Sequence, residues 1–288
     1  MDLPANVWVQ ALINGFSLSW IYILMALGLA FIMSMARILQ LAHGEVYMIG
    51  AYIVFYLTTS FGINTYLALV LSMIAMAAFG VLIEKGIFRR LQNMILPPII
   101  ASLGISMILI NIATVSFGLY TRSVPRIAEG SFLVFGGSFP KDRVIVTVIA
   151  IFLLLIIALF LKRFKSGQAM VAISQNRDGA MLAGINPVQI SRLAFIIACA
   201  LAAAGGGLTG AILNVGPYMG TAPLVKGIVI IVLGGLGSLP GAVVGGLILG
   251  LLDGVLPVLF PLIVGAVAPL VIVVIILIFR PQGLFGHE

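Results

Sequence analysis

A polar island between two long apolar runs decides the fold class of this chain. Residues 163–187 read RFKSGQAMVAISQNRDGAMLAGINP. Apolar runs flank the island at 143–162 and 188–213, and each is long enough to cross the roughly 30 Å hydrocarbon core of a bilayer as a helix. A compact polar segment between two such runs predicts a surface that a membrane protein presents to a soluble partner.

The residues of the island predict two short capped helices instead of an irregular loop. The first would run through residues 168–175, and the second would end at Gly184, a residue type that tolerates the left-handed conformation of a helix stop. The N-caps that the sequence offers are Ser166 for the first helix, Asn176 or Asp178 for the second, and Asn186, before Pro187, for the next membrane helix.

The composition excludes a soluble domain. Hydrophobic residues make up 62% of the 288 residues and charged residues 8%, with a mean hydropathy of +1.27, whereas a soluble domain is about 25% charged. The net charge of +7 does not predict nucleic-acid binding, because the basic residues lie at the ends of apolar runs and form no single face. Cys199 is the one cysteine, so no intrachain disulfide is possible.

Apolar windows of about 20 residues predict an all-α polytopic membrane protein with eight or nine spans, folded as one domain over residues 1–288. The seventh window is short and ends in the run GGLGSLPG at 234–241, where Pro240 would interrupt a helix. We expect it to be a full span, a half-helix or one arm of a re-entrant hairpin, so the fold includes broken or re-entrant helices. The nine windows lie at 8–33, 42–60, 65–84, 96–117, 143–162, 188–213, 224–236, 241–258 and 262–279.

The basic residues predict the orientation, because cytoplasmic loops carry the excess of Lys and Arg. The richer side is assigned to the cytoplasm with segment 163–187 and the C-terminus, and Glu84 and Lys85 are expected to pair there. The N-terminus and loop 118–142 are assigned outside, with a small hairpin at Gly136-Gly137. The cytoplasmic set is Arg37, Lys85, Arg89, Arg90, Lys162, Arg163, Lys165, Arg177, Arg192 and Arg280, and the outer set is Arg122, Arg126, Lys141 and Arg143.

Ionisable side chains occur inside two apolar windows, where charge is costly. His43, Gly44 and Glu45 follow one another at the start of the second window, and Asp253 lies in the eighth. Two interpretations stay open for each site. Glu45 either caps free N–H groups at a helix start or forms a gate or pathway with its two neighbours. Asp253 either faces the outer interface or lines the pathway.

Glycine contributes 33 residues, and several recur at helical spacing near the C-terminus. Small residues spaced by four let membrane helices pack closely, and they also leave room for a path at a broken helix. The spaced glycines are Gly237, Gly241 and Gly245, and then Gly246, Gly250 and Gly254. The candidate path or gate residues are His43, Gly44, Glu45, Gly234, Gly235, Gly237, Gly241 and Asp253.

Motifs for enzymatic chemistry are missing from the sequence. No Gly-x-x-x-x-Gly-Lys-Ser/Thr phosphate loop is present, and His43 and His287 are the only histidines. A His-rich metal or haem site and a Ser-His-Asp triad are therefore excluded. We expect no catalytic residue, metal or cofactor in this chain.

Four segments carry a resemblance that covers essentially the whole sequence. They are Ala42-His-Gly-Glu45 with Met48, Gly50, Ala51 and Tyr52; Gly167-Gln-Ala169 with Ala172, Ala180, Leu182, Gly184 and Ile185; LGGLGSLPGA at 233–242; and RPQGLFG at 280–286. In this order they resemble the permease family of bacterial branched-chain amino acid ABC transporters, in the shorter of its two permease types. The chain departs from the family pattern at Gln40-Leu41, at Val171, where arginine is common, and at Gly179, where alanine is common.

The resemblance implies a transport subunit of the bacterial inner membrane. Two cytoplasmic ATPase subunits would bind ATP and Mg²⁺, and a sister permease and a periplasmic binding protein would complete the importer. Closure of the ATPases would push on residues 167–185 and tilt the spans. The coupling residues so identified are Gly167, Gln168, Ala169, Ala172, Asn176, Ala180, Leu182, Gly184 and Ile185.

Other kinds of transport stay open at the level of sequence. One is an ion-coupled secondary transporter in which Glu45 or Asp253 binds the coupling ion near a broken helix. Another is a passive channel for a small neutral solute, and a third is a permease for urea or short amides. The sequence itself does not identify the amino acid or amide that is carried.

Overall fold

The computed structural model describes residues 4–91, 94, 96–125, 127, 128, 130–134, 137–280 and 282–285, and shows a helical bundle. The all-α prediction is confirmed, because each of the nine apolar windows contains a helix. The helices of the bundle are α1 (Ala5–Ala36), α2 (His43–Thr59), α3 (Thr65–Ile83), α5 (Leu96–Phe117), α6 (Lys141–Arg163), α9 (Pro187–Ile212), α10 (Thr221–Gly234), α11 (Leu239–Leu259) and α12 (Leu262–Phe279). A π-helical turn (Glu84–Phe88) and a short helix α4 (Arg89–Leu91) extend α3.

Six of these helical segments are long and apolar enough to cross a membrane by length and composition. They are Asn6–Ala36, Thr65–Leu91, Leu96–Phe117, Lys141–Arg163, Pro187–Ile212 and Leu239–Leu259. The number of spans and the orientation of the termini stay predictions.

Two small sheets close one end of the bundle. Strands β2 (Ser131–Val134) and β3 (Gly137–Pro140) form the hairpin predicted in loop 118–142, with Val134 opposite Gly137. Gly136 lies outside the described residues. Strand β1 (Arg122–Ser123) pairs with β4 (Asn214–Val215), which ties this loop to the segment that follows α9.

Helix α1 is the central element of the bundle. Every residue from Ile21 to Ile32 is buried, and α9 and α11 pack along its length. A helix that is apolar on all sides is expected in such a position, because it has no polar face to turn toward water.

Glycines allow α11 to approach α1 at backbone distance. A Cβ atom on Gly250 would collide with the backbone and side chain of Ser19, and one on Gly254 would collide with the backbone of Gly15. The hydroxyl of Ser19 crosses the contact and donates to the carbonyl oxygen of Leu247 at 3.2 Å. The packing interpretation of the glycines at 246, 250 and 254 is therefore confirmed.

Helix α2 starts inside the bundle. Helix α1 ends at Ala36, followed by Arg37 with the left-handed φ of 57°, and a short segment with a turn at residues 41–42 then leads back into the bundle to His43. The His43 ring lies beside Gly28 and Ala198, and Ala198 is about 16 Å from Pro187 along α9 at 1.5 Å per residue. The chain therefore re-enters the bundle before α2 begins.

Helix α10 also starts inside the bundle, but from the opposite end. Its N-cap residue, Gly220, meets the backbone of Gly44 so closely that neither position has room for a Cβ atom. From there α10 has 14 residues, or about 21 Å, which is shorter than the hydrocarbon core. The starts of α2 and α10 thus meet at Gly44 and Gly220, and the prediction that broken or re-entrant helices lie in the membrane stays a prediction.

A pair of matched variants tests the glycine packing. Gly250→Ala should lower the free energy of unfolding by about 1–3 kcal/mol, because the added methyl group forces α1 and α11 apart. Gly104→Ala is the control, since a Cβ atom at Gly104 on α5 meets nothing within 4 Å. The control should leave stability unchanged or raise it slightly, because alanine is the better helix former. Thermal unfolding in detergent measures both; equal midpoints for the two variants would contradict the packing.

Candidate functional site

The polar island forms the predicted pair of short helices, α7 (Lys165–Gln175) and α8 (Arg177–Leu182). The Ser166 cap is wrong: α7 already begins at Lys165, with Phe164 at the N-cap position and no side-chain cap. Asn176 caps α8 by accepting a hydrogen bond from the Gly179 N–H at 2.8 Å, so Asp178 is left in the first turn. Asn186 caps α9 in the same way, and Gly184 has the expected positive φ of 83°.

One side of this α7–α8 segment anchors it to the bundle. Gly167 lies so close to the backbone of Phe160 and Leu161 that α7 can fold back on α6 only without a side chain there. Met170, Ile173 and Ala180 are buried in the main apolar cluster. Two of the predicted coupling residues, Gly167 and Ala180, therefore fix the segment in place and do not reach its outer surface.

The other side of the α7–α8 segment is open. Leu182 is 91% exposed although leucine is apolar, and Met181 beside it is 44% exposed. An exposed leucine on a rigid, capped turn is suited to a pocket on a partner protein. Of the remaining coupling residues, Ala169, Ala172 and Ile185 are half-buried, and Gln168, Asn176 and Gly184 are exposed.

The start of α2 is a second polar feature, and it is deep in the bundle. His43 and Gln40 are fully buried, and none of their side-chain nitrogen and oxygen atoms has a hydrogen-bond partner in the part of the chain that the structure describes. The backbone N–H of Ala42 donates to the Ser102 hydroxyl at 2.9 Å. The Glu45 carboxylate accepts from the Ser106 hydroxyl and from its own backbone N–H.

These contacts fit the structural interpretation of Glu45, since its carboxylate binds a free N–H group in the first turn of α2. A role for His43, Gly44 and Glu45 in gating stays a prediction. The serines at 102 and 106 had no signal in the sequence, because single serines are common in membrane helices.

The glycine-rich run forms a tight turn between α10 and α11. Gly235 and Gly237 have positive φ values of 100° and 88°, and Gly234 meets Gly241 backbone to backbone. The Ser34 hydroxyl donates to the Gly237 carbonyl oxygen at 2.6 Å. The C-terminal segment closes the turn, because the N–H of Leu284 donates to the carbonyl of Leu233 at 2.8 Å.

Asp253 belongs to a network of three polar side chains between α1, α10 and α11. Its carboxylate forms an ion pair with Lys226 and accepts a hydrogen bond from the Tyr22 hydroxyl at 2.6 Å. The Lys226 ammonium also donates to that hydroxyl at 2.8 Å. The Asp253 side chain is 8% exposed, so it faces its partners in the bundle, and its role at the outer interface or in the pathway stays a prediction.

Glu84 makes a different ion pair from the one that the sequence predicted. Its buried carboxylate lies 3.5 Å from the Arg192 side chain on α9, whereas Lys85 points to the surface. The π-helical turn that starts at Glu84 keeps the carboxylate against α9. The predicted pair of Glu84 with Lys85 is therefore wrong, because adjacent residues on a helix face in different directions.

The polar side chains described above are suited to binding and to contacts between helices. Among the described residues, no group of three His, Cys, Asp or Glu side chains is placed to share a metal ion. The charged side chains of Glu84 and Asp253 pair with basic residues of neighbouring helices, whereas those of His43 and Gln40 have no partner among the described residues.

The Lys226–Asp253 pair gives a test of stability. Lys226→Met leaves a buried carboxylate without its cation and should lower the free energy of unfolding by about 3–5 kcal/mol. The double variant Lys226→Met with Asp253→Leu removes both charges and should regain most of that loss. Lys85→Met, at an exposed position, serves as the control in the same thermal unfolding assay. If the single variant were as stable as the control, the Lys226–Asp253 pair would make no contribution to stability.

Comparison with known proteins identifies the family. The family described as "Branched-chain amino acid transport system / permease component" matches residues 11–279. The chain is 32% identical to the high-affinity branched-chain amino acid transport system permease protein BraD of Pseudomonas aeruginosa, over 97% of this chain and 96% of BraD. It is 30% identical to the corresponding permease LivH of Salmonella typhimurium, with the same coverage of 97% and 96%.

Two further similarities are weaker. The permease LivM of Salmonella typhimurium is 29% identical over 77% of this chain and 58% of LivM. The solved structure "PsaBC from Streptococcus pneumoniae in complex with Fab" aligns at 18% identity over 95% of this chain and 90% of that chain, with a TM-score of 0.49. The family match and the near full-length relatives confirm the resemblance of the four sequence segments. This chain therefore belongs to the permease family of branched-chain amino acid transport systems.

Proposed function

We propose that this chain is the membrane-spanning permease subunit of an ATP-driven importer. It translocates branched-chain or related amino acids that a periplasmic binding protein delivers. Family membership supports the transport role, and the α7–α8 segment supports the coupling to a separate ATPase. That segment is the single observation on which the coupling proposal rests.

A segment that receives force must be rigid and firmly joined to what it moves. The α7–α8 segment is capped at Asn176 and at Gly184, and α7 backs onto α6 through Gly167. Its buried side chains contact α1 and α9, the most buried helices of the bundle. A push on Leu182 would thus be transmitted to the centre of the bundle through packed side chains.

The remaining subunits follow from this arrangement. Two cytoplasmic ATPases bind ATP and Mg²⁺, and one of them docks on segment 163–187 of this chain in the bacterial inner membrane. A sister permease lies beside this chain, and the relatives named LivH and LivM are two permeases of that kind. The binding protein docks at the other end of the bundle, where loop 118–142 carries the β-hairpin.

Coupling to an ion gradient is less compatible with the contacts of the acidic residues. Asp253 is already neutralised by Lys226, and Glu45 is held by Ser106 and its own backbone. A carboxylate that binds a coupling ion must exchange that ion during each cycle. The Asp253 carboxylate is not free to do so without breaking its ion pair with Lys226, whereas the Glu45 Oε2 atom has no hydrogen-bond partner among the described residues.

Changing the exposed leucine tests the coupling surface. Leu182→Asp adds a charge at a position that is 91% exposed, so the chain should fold and insert normally. We expect ATPase subunits to dissociate from the purified permease and ATP-driven leucine uptake to fall at least about ten-fold, because truncation of a buried interface anchor costs 2 kcal/mol or more.

The matched control is Leu119→Asp, at a residue 65% exposed at the opposite end of the bundle. This variant should keep its ATPase subunits. Retention of the ATPases by Leu182→Asp, or their loss from Leu119→Asp alone, would show that the docking surface has been placed at the wrong end.

A further inference from the structure

A cavity of about 260 Å³ lies where the interrupted helices α2 and α10 begin. Tyr47 of α2 and Ala222 of α10 line it on that side, and Arg143 of α6 lines it toward the hairpin end of the bundle. The cavity therefore extends from the starts of α2 and α10 toward the hairpin end of the bundle. No residue of the cavity was selected from the sequence as a candidate for the translocation path.

Most of the wall is apolar. The side chains of Leu18 and Ile21 on α1, of Ile212 and Leu213 at the end of α9, and of Met219 before α10 form it. Small-molecule sites have this composition, with aliphatic walls and a few polar groups that fix the orientation of the ligand. A short aliphatic chain would replace unfavourable water in the cavity.

Arg143 supplies a charge that its neighbours leave largely unused. Its guanidinium donates to the Asn14 side-chain oxygen, and none of the ion pairs among the described residues involves it. A guanidinium carries five N–H donors, so most of them remain for a ligand. Arginine binds carboxylates through two parallel hydrogen bonds, which fixes both distance and direction.

The second cation of the cavity is already neutralised. Lys226 lines the wall, but its ammonium is paired with Asp253 and hydrogen-bonded to Tyr22. The charged side chains that line or adjoin the cavity in the described part of the chain therefore leave one net positive charge, at Arg143. A ligand with one carboxylate matches this charge, and one with two does not.

The end of α9 contributes to the cavity wall beside the aliphatic side chains. This helix ends at Ile212 in the cavity wall. The last carbonyl groups of a helix lack partners within the helix and carry partial negative charge. They are acceptors of the kind that an ammonium group requires.

We propose that this cavity binds the transported amino acid, with Arg143 holding the α-carboxylate and the aliphatic walls holding an apolar side chain. The inference rests on the proposed transport function and names a substrate site within this chain. Urea and simple amides lack the carboxylate and would leave the guanidinium unpaired in a poorly hydrated site. A cationic ligand would be repelled by Arg143.

Protection of an introduced thiol tests the site directly. Ala222 is an exposed lining residue, and the native thiol of Cys199 is buried, so Ala222→Cys provides the one reactive position. The full assembly in proteoliposomes is treated with a membrane-impermeant thiol reagent. Saturating leucine should slow the modification at least about ten-fold, because an occupied site excludes the reagent. Leucinamide, which has no carboxylate, should not slow the modification.

Substitutions on α6 test whether Arg143 binds the substrate carboxylate. Arg143→Gln in the Ala222→Cys background should weaken protection by leucine about ten- to hundred-fold, the effect of losing a hydrogen bond to a charged group. Arg143→Lys keeps the charge but loses the bidentate geometry. Protection by leucine in this variant should lie between that in Ala222→Cys alone and that in Arg143→Gln. Lys141→Gln is the matched control, since Lys141 lies two residues before Arg143 on the same helix and outside the cavity wall; it should leave protection unchanged.

The outcomes separate the site from the transport function. Equal protection by leucine and leucinamide, or none by either, overturns the site even if ATP-driven leucine uptake is normal, and this comparison needs no change at Arg143. Protection by leucine alone in an assembly that shows no ATP-driven uptake supports the site and contradicts the proposed function. Loss of protection in Lys141→Gln equal to that in Arg143→Gln overturns the assignment of Arg143.

Discussion

The architecture depends on contact between helix backbones at positions that cannot hold a side chain. In a bilayer, apolar side chains gain little from leaving lipid, so helices associate through close packing and hydrogen bonds. Helix α11 reaches α1 at Gly250 and Gly254, and α2 reaches α9 at Gly50 and Gly206. These contacts join α1 to α11 and α2 to α9 at backbone distance, as the transmission of force in the proposed function requires.

The same close approach makes the interrupted helices possible. Free backbone groups inside a membrane must find partners within the protein. The start of α2 finds them in Ser102 and in the Glu45 carboxylate, and the contact of Gly44 with Gly220 brings the start of α10 to the same place. The proposed substrate cavity lies beside this junction, while the α7–α8 segment lies at the far end of α6 and beside the start of α9. The proposed substrate cavity and the α7–α8 segment are thus connected through α9 and α1.

Residue type and spacing along the chain predicted much of this fold. Each of the nine apolar windows contains a helix. Asn176 and Asn186 cap helices and Gly184 follows a helix end, as predicted, because caps depend on a few neighbouring residues. The predictions that were wrong or missing concern contacts between helices. The partner of Glu84 is Arg192, and the partner of Asp253 is Lys226, which follow from how helices face one another. Opposite charges in successive apolar windows at 226 and 253 were a usable signal. Arg143, by contrast, looked like an ordinary basic residue at the end of a span.

The central claim is that this chain has no energy source of its own and moves only when a separate ATPase acts on the α7–α8 segment. Leucine uptake against a gradient measures this most directly, in proteoliposomes that contain the binding protein and both permeases, with or without the ATPase subunits, and with every ion gradient collapsed. The account predicts uphill accumulation only when the ATPases and ATP are both present. No accumulation with the ATPases and ATP present, or accumulation by the permeases alone once an ion gradient is imposed in a parallel sample, would contradict it.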